Sequence, residues 1–152
     1  LHGIPHFAIS IGLMSNNDIK SGLIFDPIKN EMFYAEKNNG AFFNNERIRV
    51  SKKNELSECL FATGGKKYNS IDEISSRKSG CAALDLAYVA SGRYDGYCQD
   101  NLNLWDIAAG LIILQEAGGV INDIDLNNHK NLNVIASSPN INDKFIKKIS
   151  NF

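Results

Sequence analysis

From Phe7 onward the chain alternates. Phe7, Ile9, Ile11 and Leu13 fall on one face, and Ala8, Ser10 and Gly12 fall on the other. A period of two marks a strand, and a face built of small residues predicts close approach by a second layer. Asn16-Asn17-Asp18 turns the chain into a strand over Ile19–Phe25, and Asp26-Pro27-Ile28-Lys29-Asn30 turns it into Glu31–Glu36. Asn38-Asn39-Gly40 leads to Ala41–Phe43, and Asn44-Asn45-Glu46 leads to a short strand over Arg47–Val50. Asparagine and glycine clusters between apolar runs are turn chemistry. The expected result is an antiparallel meander, which needs a covering layer for its apolar face.

Beyond the polar stretch Lys52–Ser57 the pattern changes. Leu60–Thr63 reads as a strand, followed by a Gly-Gly and lysine-rich loop and a short polar stretch around Ile71–Ile74. Ser79-Gly80 opens a helix through Ala82, Ala83, Leu86, Ala87, Val89 and Ala90, and Gly92 closes it. Asp95-Gly96 turns into a strand around Tyr97; Val120–Ile124 and Asn133–Ser137 read as two more. Pro139-Asn140 starts a last amphipathic helix with Ile141, Phe145, Ile146 and Ile149 inward. Strands alternating with helices predict a layered half. The expected fold is therefore α/β in the broad sense, an α+β layered sandwich. Its antiparallel meander covers about residues 1–51, and its smaller α/β half covers about residues 58–152.

The most apolar element is the run Leu104–Glu116, entered at Asn103 and left at Gly118-Gly119. Ile107, Ala108, Leu111, Ile112, Ile113 and Leu114 cover nearly its whole circumference, so the spacing predicts a helix packed on most sides. Asn103 with Asp106 three residues on has the form of a capping box. Local pattern alone reads Asp106 as a cap; an ionised group at the mouth of an embedded helix is also a place to fix a functional carboxylate.

The composition is that of an ordinary soluble domain, with 43% hydrophobic and 22% charged residues in 152. A net charge of −1 with acids and bases interspersed points to neither nucleic acid nor a membrane face. Three cysteines at no metal-knuckle spacing, Cys59, Cys81 and Cys98, read as reduced thiols of a cytoplasmic protein. There is no apolar run of spanning length and no signal-peptide pattern. His2 and His6 lack acidic or cysteine partners at ligand spacing and read as turn or packing residues. The chain opens on Leu1 and enters a strand within a few residues, which gives the expectation of a beginning cut from something longer.

Several segments together resemble one family. They are Gly3-Ile4-Pro5 with Phe7–Gly12, then Asn39-Gly40-Ala41-Phe42-Phe43-Asn44, then Gly80–Gly92. The most specific is Trp105-Asp106-Ile107-Ala108-Ala109-Gly110, followed by Glu116-Ala117-Gly118-Gly119. In this order the chain resembles the carboxy-terminal part of the inositol monophosphatase family, bacterial members above all. The resemblance implies a Mg²⁺-dependent phosphomonoesterase acting on an inositol phosphate or related sugar phosphate. It implies a metal-ligand role for Asp106 beside the substrate, and substrate contacts at Gly80, Cys81, Ala82 and Gln99. Magnesium suits such a site because it prefers carboxylate and water oxygens.

Some residues depart from the family pattern. The Asp-Pro-x-Asp-Gly-Thr run with an upstream glutamate, which the family uses for its metals, has no counterpart in these residues. Asp26-Pro27-Ile28-Lys29 imitates only its first half and falls in a hairpin turn. Gln99 stands where a glutamate is usual, so it keeps hydrogen bonding without charge, and Asn101 replaces a customary glycine. The segment between Gly65 and Ser79 is short, which predicts a reduced helix and strand there. Asp95 and Asp100 read as turn residues. No catalytic residue is assigned. The expectation is a family fragment that is largely inactive alone, with a small-molecule phosphomonoester as ligand and a homodimer or a missing amino-terminal segment as partner. The alternative is a non-catalytic binding or regulatory member, or an inactive remnant.

Overall fold

The computed structural model describes residues 2–68 and 74–150. The meander is β1 (Ile9–Ser15), β2 (Asp18–Asp26), β3 (Glu31–Glu36), β4 (Gly40–Phe43) and β5 (Glu46–Arg47). These strands pair antiparallel in chain order as one five-stranded sheet. A second sheet follows, built from β6 (Leu60–Gly64), β7 (Ser75–Arg77), β8 (Gly96–Leu102), β9 (Val120–Ile121) and β10 (Leu132–Ser137). Its order is β7-β6-β8-β10-β9, with β6 parallel to both neighbours and the other pairs antiparallel. Three helices, α1 (Ala82–Ala90), α2 (Leu104–Glu116) and α3 (Asn142–Ile149), complete an α+β fold.

Asparagine makes the meander turns. Asn16 and Asn17 take φ of 53° and 55° between β1 and β2, and Asn30, Asn38, Asn44 and Asn45 are also left-handed. Asparagine tolerates this region better than other residues with a Cβ, so the turn clusters are legible in the sequence.

The small-residue face of β1 and β2 receives α2, as the alternation predicts. A Cβ on Gly12 would stand 3.0 Å from that of Ala108, and one on Gly22 would stand 2.7 Å from both Cα and O of Ala109. The opposite side of α2 meets α1 equally closely: a Cβ on Gly110 would come within 2.6 Å of Leu86. Ile107, Ile113 and Leu114 are fully buried in this interlayer core. A separate cluster under α3 stacks Phe61 on Phe145 at 4.5 Å, beside Cys59, Cys98 and Ile141. The cover lies on the small face only. Ile9, Ile11 and Leu13 on the other face remain more than half exposed.

Several boundaries differ from the sequence expectation, each for a local reason. β1 starts at Ile9, two residues late, because the first ladder partner is Phe25 at the far end of β2. β5 ends at Arg47: the Ile48 amide still donates to Ala41 O at 2.9 Å, and the chain then turns away, the Val50 amide donating to Ala117 O at the exit of α2. β9 stops at Ile121 because Asn122 follows with its side chain in the ladder, Oδ1 accepting from the Ile135 amide at 2.6 Å. Ile146 is 37% exposed rather than inward, while Ile141, Phe145 and Ile149, four residues apart, make the buried stripe of α3. β7 occupies the short segment before Ser79; three residues give too little pattern to detect. Of the polar stretch around Ile71–Ile74, residues 71–73 lie outside the described residues. Asp100 sits inside β8 rather than in a turn. Asp26 closes its own turn, accepting from the amides of Ile28 and Lys29 at 2.9 and 3.1 Å.

The α2 contact gives a direct test. Gly22→Ala should destabilise the fold by roughly 1–3 kcal/mol, since its methyl would meet the Ala109 backbone and the buried Ile112 side chain, each at 2.7 Å. Denaturant unfolding measures this, and an unchanged midpoint would contradict the close approach.

Candidate functional site

The helices α1 and α2 begin at one place. Gly80, Cys81, Ala82 and Ala83 at the entrance of α1, and Leu102, Trp105 and Asp106 at the entrance of α2, line a cavity of about 340 Å³. Gln99 of β8 and Ala8 and Ser10 of the first sheet complete it. All five residues named as metal or substrate contacts from the sequence, Gly80, Cys81, Ala82, Gln99 and Asp106, therefore face one concavity.

The local folding explains each position. Gly80 takes φ of 83°, which a residue with a Cβ adopts reluctantly. The chain thus turns sharply into α1 with Cys81 as N-cap, and the small side chains leave the backbone accessible. Free N–H groups at a helix start favour negative charge, and here two helix starts converge. Asp106 does cap its helix: Oδ2 accepts from the Asn103 amide at 3.1 Å and from Asn103 Nδ2 at 3.2 Å. No donor among the described residues reaches Oδ1, so capping leaves one oxygen for a ligand. The cap reading and the ligand reading are compatible.

Gln99 lies over Gly64, where a Cβ would collide with its side chain, and its Oε1 accepts from the Tyr97 hydroxyl at 2.8 Å. With the carbonyl engaged, Nε2 is the group left to meet a ligand, as a donor. Burial pushes the Cys81 thiol above its usual range, which disfavours the thiolate that nucleophilic chemistry requires.

Three features of this region escaped the sequence reading. Ser10 lines the cavity with a buried Oγ that has no partner among the described residues. Its only sequence signal was its place on the small face of β1. Trp105 lines the rim, 59% exposed. Asp85 is buried in the first turn of α1, 1% exposed, with Oδ1 accepting from Ser79 Oγ at 2.7 Å and Oδ2 without a partner among the described residues. A lone acid inside the apolar run 82–90 was the signal. By contrast, Asp95 is structural: its Oδ2 accepts from the Leu60 amide at 2.7 Å and from Lys53 Nζ at 3.0 Å.

Metal binding can be tested against these residues. Asp106 is, among the described residues, the one carboxylate lining the cavity. Among the described residues no group of three or more His, Cys, Asp or Glu side chains is arranged to hold an ion. Magnesium takes about six oxygen ligands, so the residues present do not by themselves fit a magnesium site.

Burial pushes the Asp85 carboxyl up to about 7, against the stabilising Ser79 bond. Between about pH 4 and 7 the folded chain therefore keeps a proton that the unfolded chain has released. Its contribution to stability falls as pH rises through that window, by up to ~1.4 kcal/mol per pH unit. Asp85→Asn should flatten this slope in denaturant unfolding between pH 5 and 7; parallel slopes in the two proteins would contradict it.

The model of the inositol monophosphatase family matches residues 1–152. The chain is 41% identical to a Thermotoga maritima protein named fructose-1,6-bisphosphatase/inositol-1-monophosphatase, over 99% of this chain and 62% of that protein. It is 38% identical to the Nus factor SuhB of Haemophilus influenzae, over 97% of this chain and 61% of that one. Among solved structures, extragenic suppressor protein suhB from Bartonella henselae superposes with a TM-score of 0.90 at 43% identity, covering 98% of this chain and 66% of that chain. The chain thus spans a little over three fifths of these relatives' length. The chain belongs to the inositol monophosphatase family.

Proposed function

We propose that these residues form the substrate-facing part of a phosphomonoesterase site for an inositol phosphate or a related sugar phosphate. The observation that supports this best is the meeting of two helix starts with one carboxylate in a single cavity. The backbone N–H groups of the α1 entrance suit the phosphoryl oxygens or hydroxyls of such a ligand. Gln99 Nε2 donates to a sugar hydroxyl, and Trp105 offers an apolar wall to a ring. Neutral Gln99 favours a hydroxyl over a cationic group at that position.

Mg²⁺ is the metal this reading calls for, with Asp106 as one ligand. Bound there, it would supply Lewis-acid polarisation and water activation. The remaining carboxylates would come from sequence beyond these 152 residues, in keeping with the family segment the chain spans. The chain is then the carboxy-terminal part of a family domain, with the meander near 1–51 and the mixed half near 58–152. The relatives named Nus factor support a second reading, a binding protein that keeps the fold without the chemistry. The lone carboxylate of the cavity is consistent with it.

An inositol monophosphate assay in millimolar Mg²⁺ separates these readings. Residues 1–152 alone should show little or no turnover. Joined to the remaining segment of the Thermotoga relative, they should hydrolyse the ester, and Asp106→Asn should abolish that activity. Robust turnover by the short chain, lost in Asp106→Asn, would mean that the other metal ligands lie within these 152 residues and overturn that part of the reading. An inactive but folded joined protein would favour the binding reading.

A further inference from the structure

Asp85 lies behind the cavity, not in it, yet it is tied to the cavity wall. Its Oδ1 accepts from Ser79 Oγ at 2.7 Å, and Ser79 Oγ accepts in turn from the Cys81 amide at 3.2 Å. The Asp85 amide donates to Cys81 O at 2.9 Å, so the turn is held from both ends. Between the two anchors stands Gly80, left-handed at φ of 83° with nothing within 4 Å of a would-be Cβ. The serine–aspartate latch is the side-chain hydrogen bonding that holds this turn among the described residues, beside the packing of Cys81 and Ala82 against the core. Gly80 and Cys81 line the cavity, and Ser79 and Asp85 are the support beneath.

The carboxylate is unusual for its place. Oδ2 is buried and has no partner among the described residues. Among the described residues, Asp85 bears on the ionisation of Cys81 at the α1 entrance, Tyr94 in the loop before β8, and Tyr97 on β8. All three are held above their ordinary values by burial, so all are neutral near pH 7, and none supplies a countercharge. The positive end of α1 is the compensation available to the ionised form. An anion at the same helix start would draw on that same field. Two negative charges cannot both be well stabilised by one helix end in a medium of low dielectric.

We infer that Asp85 is a positioning residue of the candidate site: through Ser79 it fixes the Ser79–Gly80–Cys81 turn, and binding of an anion at the α1 entrance is coupled to uptake of one proton from solvent by Asp85. This rests on the phosphate-facing reading of the cavity. The protonated acid keeps the latch, since Oδ1 still accepts from Ser79 while Oδ2 carries the proton. The ionised acid keeps the latch too but repels the ligand. The site therefore holds an anion more tightly as pH falls through neutrality. That burial raises the Asp85 carboxyl places the change in an accessible range.

The test uses sulfate as probe, because its charge does not change between pH 5.5 and 8.5. Binding to the 152-residue chain is followed by the backbone amide resonances of Gly80, Cys81 and Ala82. The apparent Kd should rise toward the tenfold-per-unit limit of a one-proton linkage as pH passes through about 7. In Asp85→Asn it should be flat with pH. Ser79→Ala, which leaves the carboxyl in place, should weaken binding at every pH by loosening the turn. A thermal melt confirms that each variant is folded. Binding that is independent of pH in the unaltered chain, or equally pH-dependent in Asp85→Asn, would overturn the inference and leave the phosphate-facing reading intact. Sulfate that moves none of the three amides at any pH would overturn both.

Discussion

The structure depends on how closely one helix approaches its neighbours. α2 is buried on nearly all sides, and its two main contacts are made where side chains are missing. Gly22 lets the first sheet lie against the backbone of Ala109, and Gly110 lets α1 lie against α2 through Leu86. Interiors pack like crystals, and an extra methyl at either glycine would press on helix backbone or on a buried side chain with little room to give. These contacts fix the height of α2 between the layers, and with it the position of its first turn. Asp106 is therefore placed by packing a turn or more away, and the α1 entrance is set against it by the same α1–α2 contact. The cavity follows from the layer spacing.

The cavity combines two opposed preferences. Two helix starts favour an anion, whereas the Asp106 carboxylate favours a cation. A ligand that carries both, a phosphoryl group paired with a metal ion, satisfies the two together. The lone carboxylate marks the limit of what these residues supply. The outer face of β1, with Ile9, Ile11 and Leu13, is open to solvent.

Much of this was legible in the sequence, for identifiable reasons. The meander announced itself through period-two alternation and asparagine turns, because both signals are local. The small face of β1 predicted close approach by a second layer, because side chains without bulk let another backbone come near; which element makes that approach was not legible there. What failed was long-range. The ends of β5 and β9 are set by Ala117 and by the Asn122 side chain, partners that neighbouring residues do not reveal. β7 is held by pairing with β6 and has almost no pattern of its own. At the candidate site, Gly80–Ala82 and Asp106 were singled out through family motifs and share one cavity, whereas periodicity offered only a cap. Asp85 and Ser10 were missed because their significance is burial without a partner, which only the packed structure makes visible.

The most direct measurement is a crystal structure of the chain grown with inositol monophosphate. The account predicts ligand density in the cavity between the Asp106 carboxylate and the backbone of Gly80–Ala82, with the Gln99 amide group toward the sugar ring. Density bound elsewhere on the molecule, with this cavity holding only solvent, would contradict it.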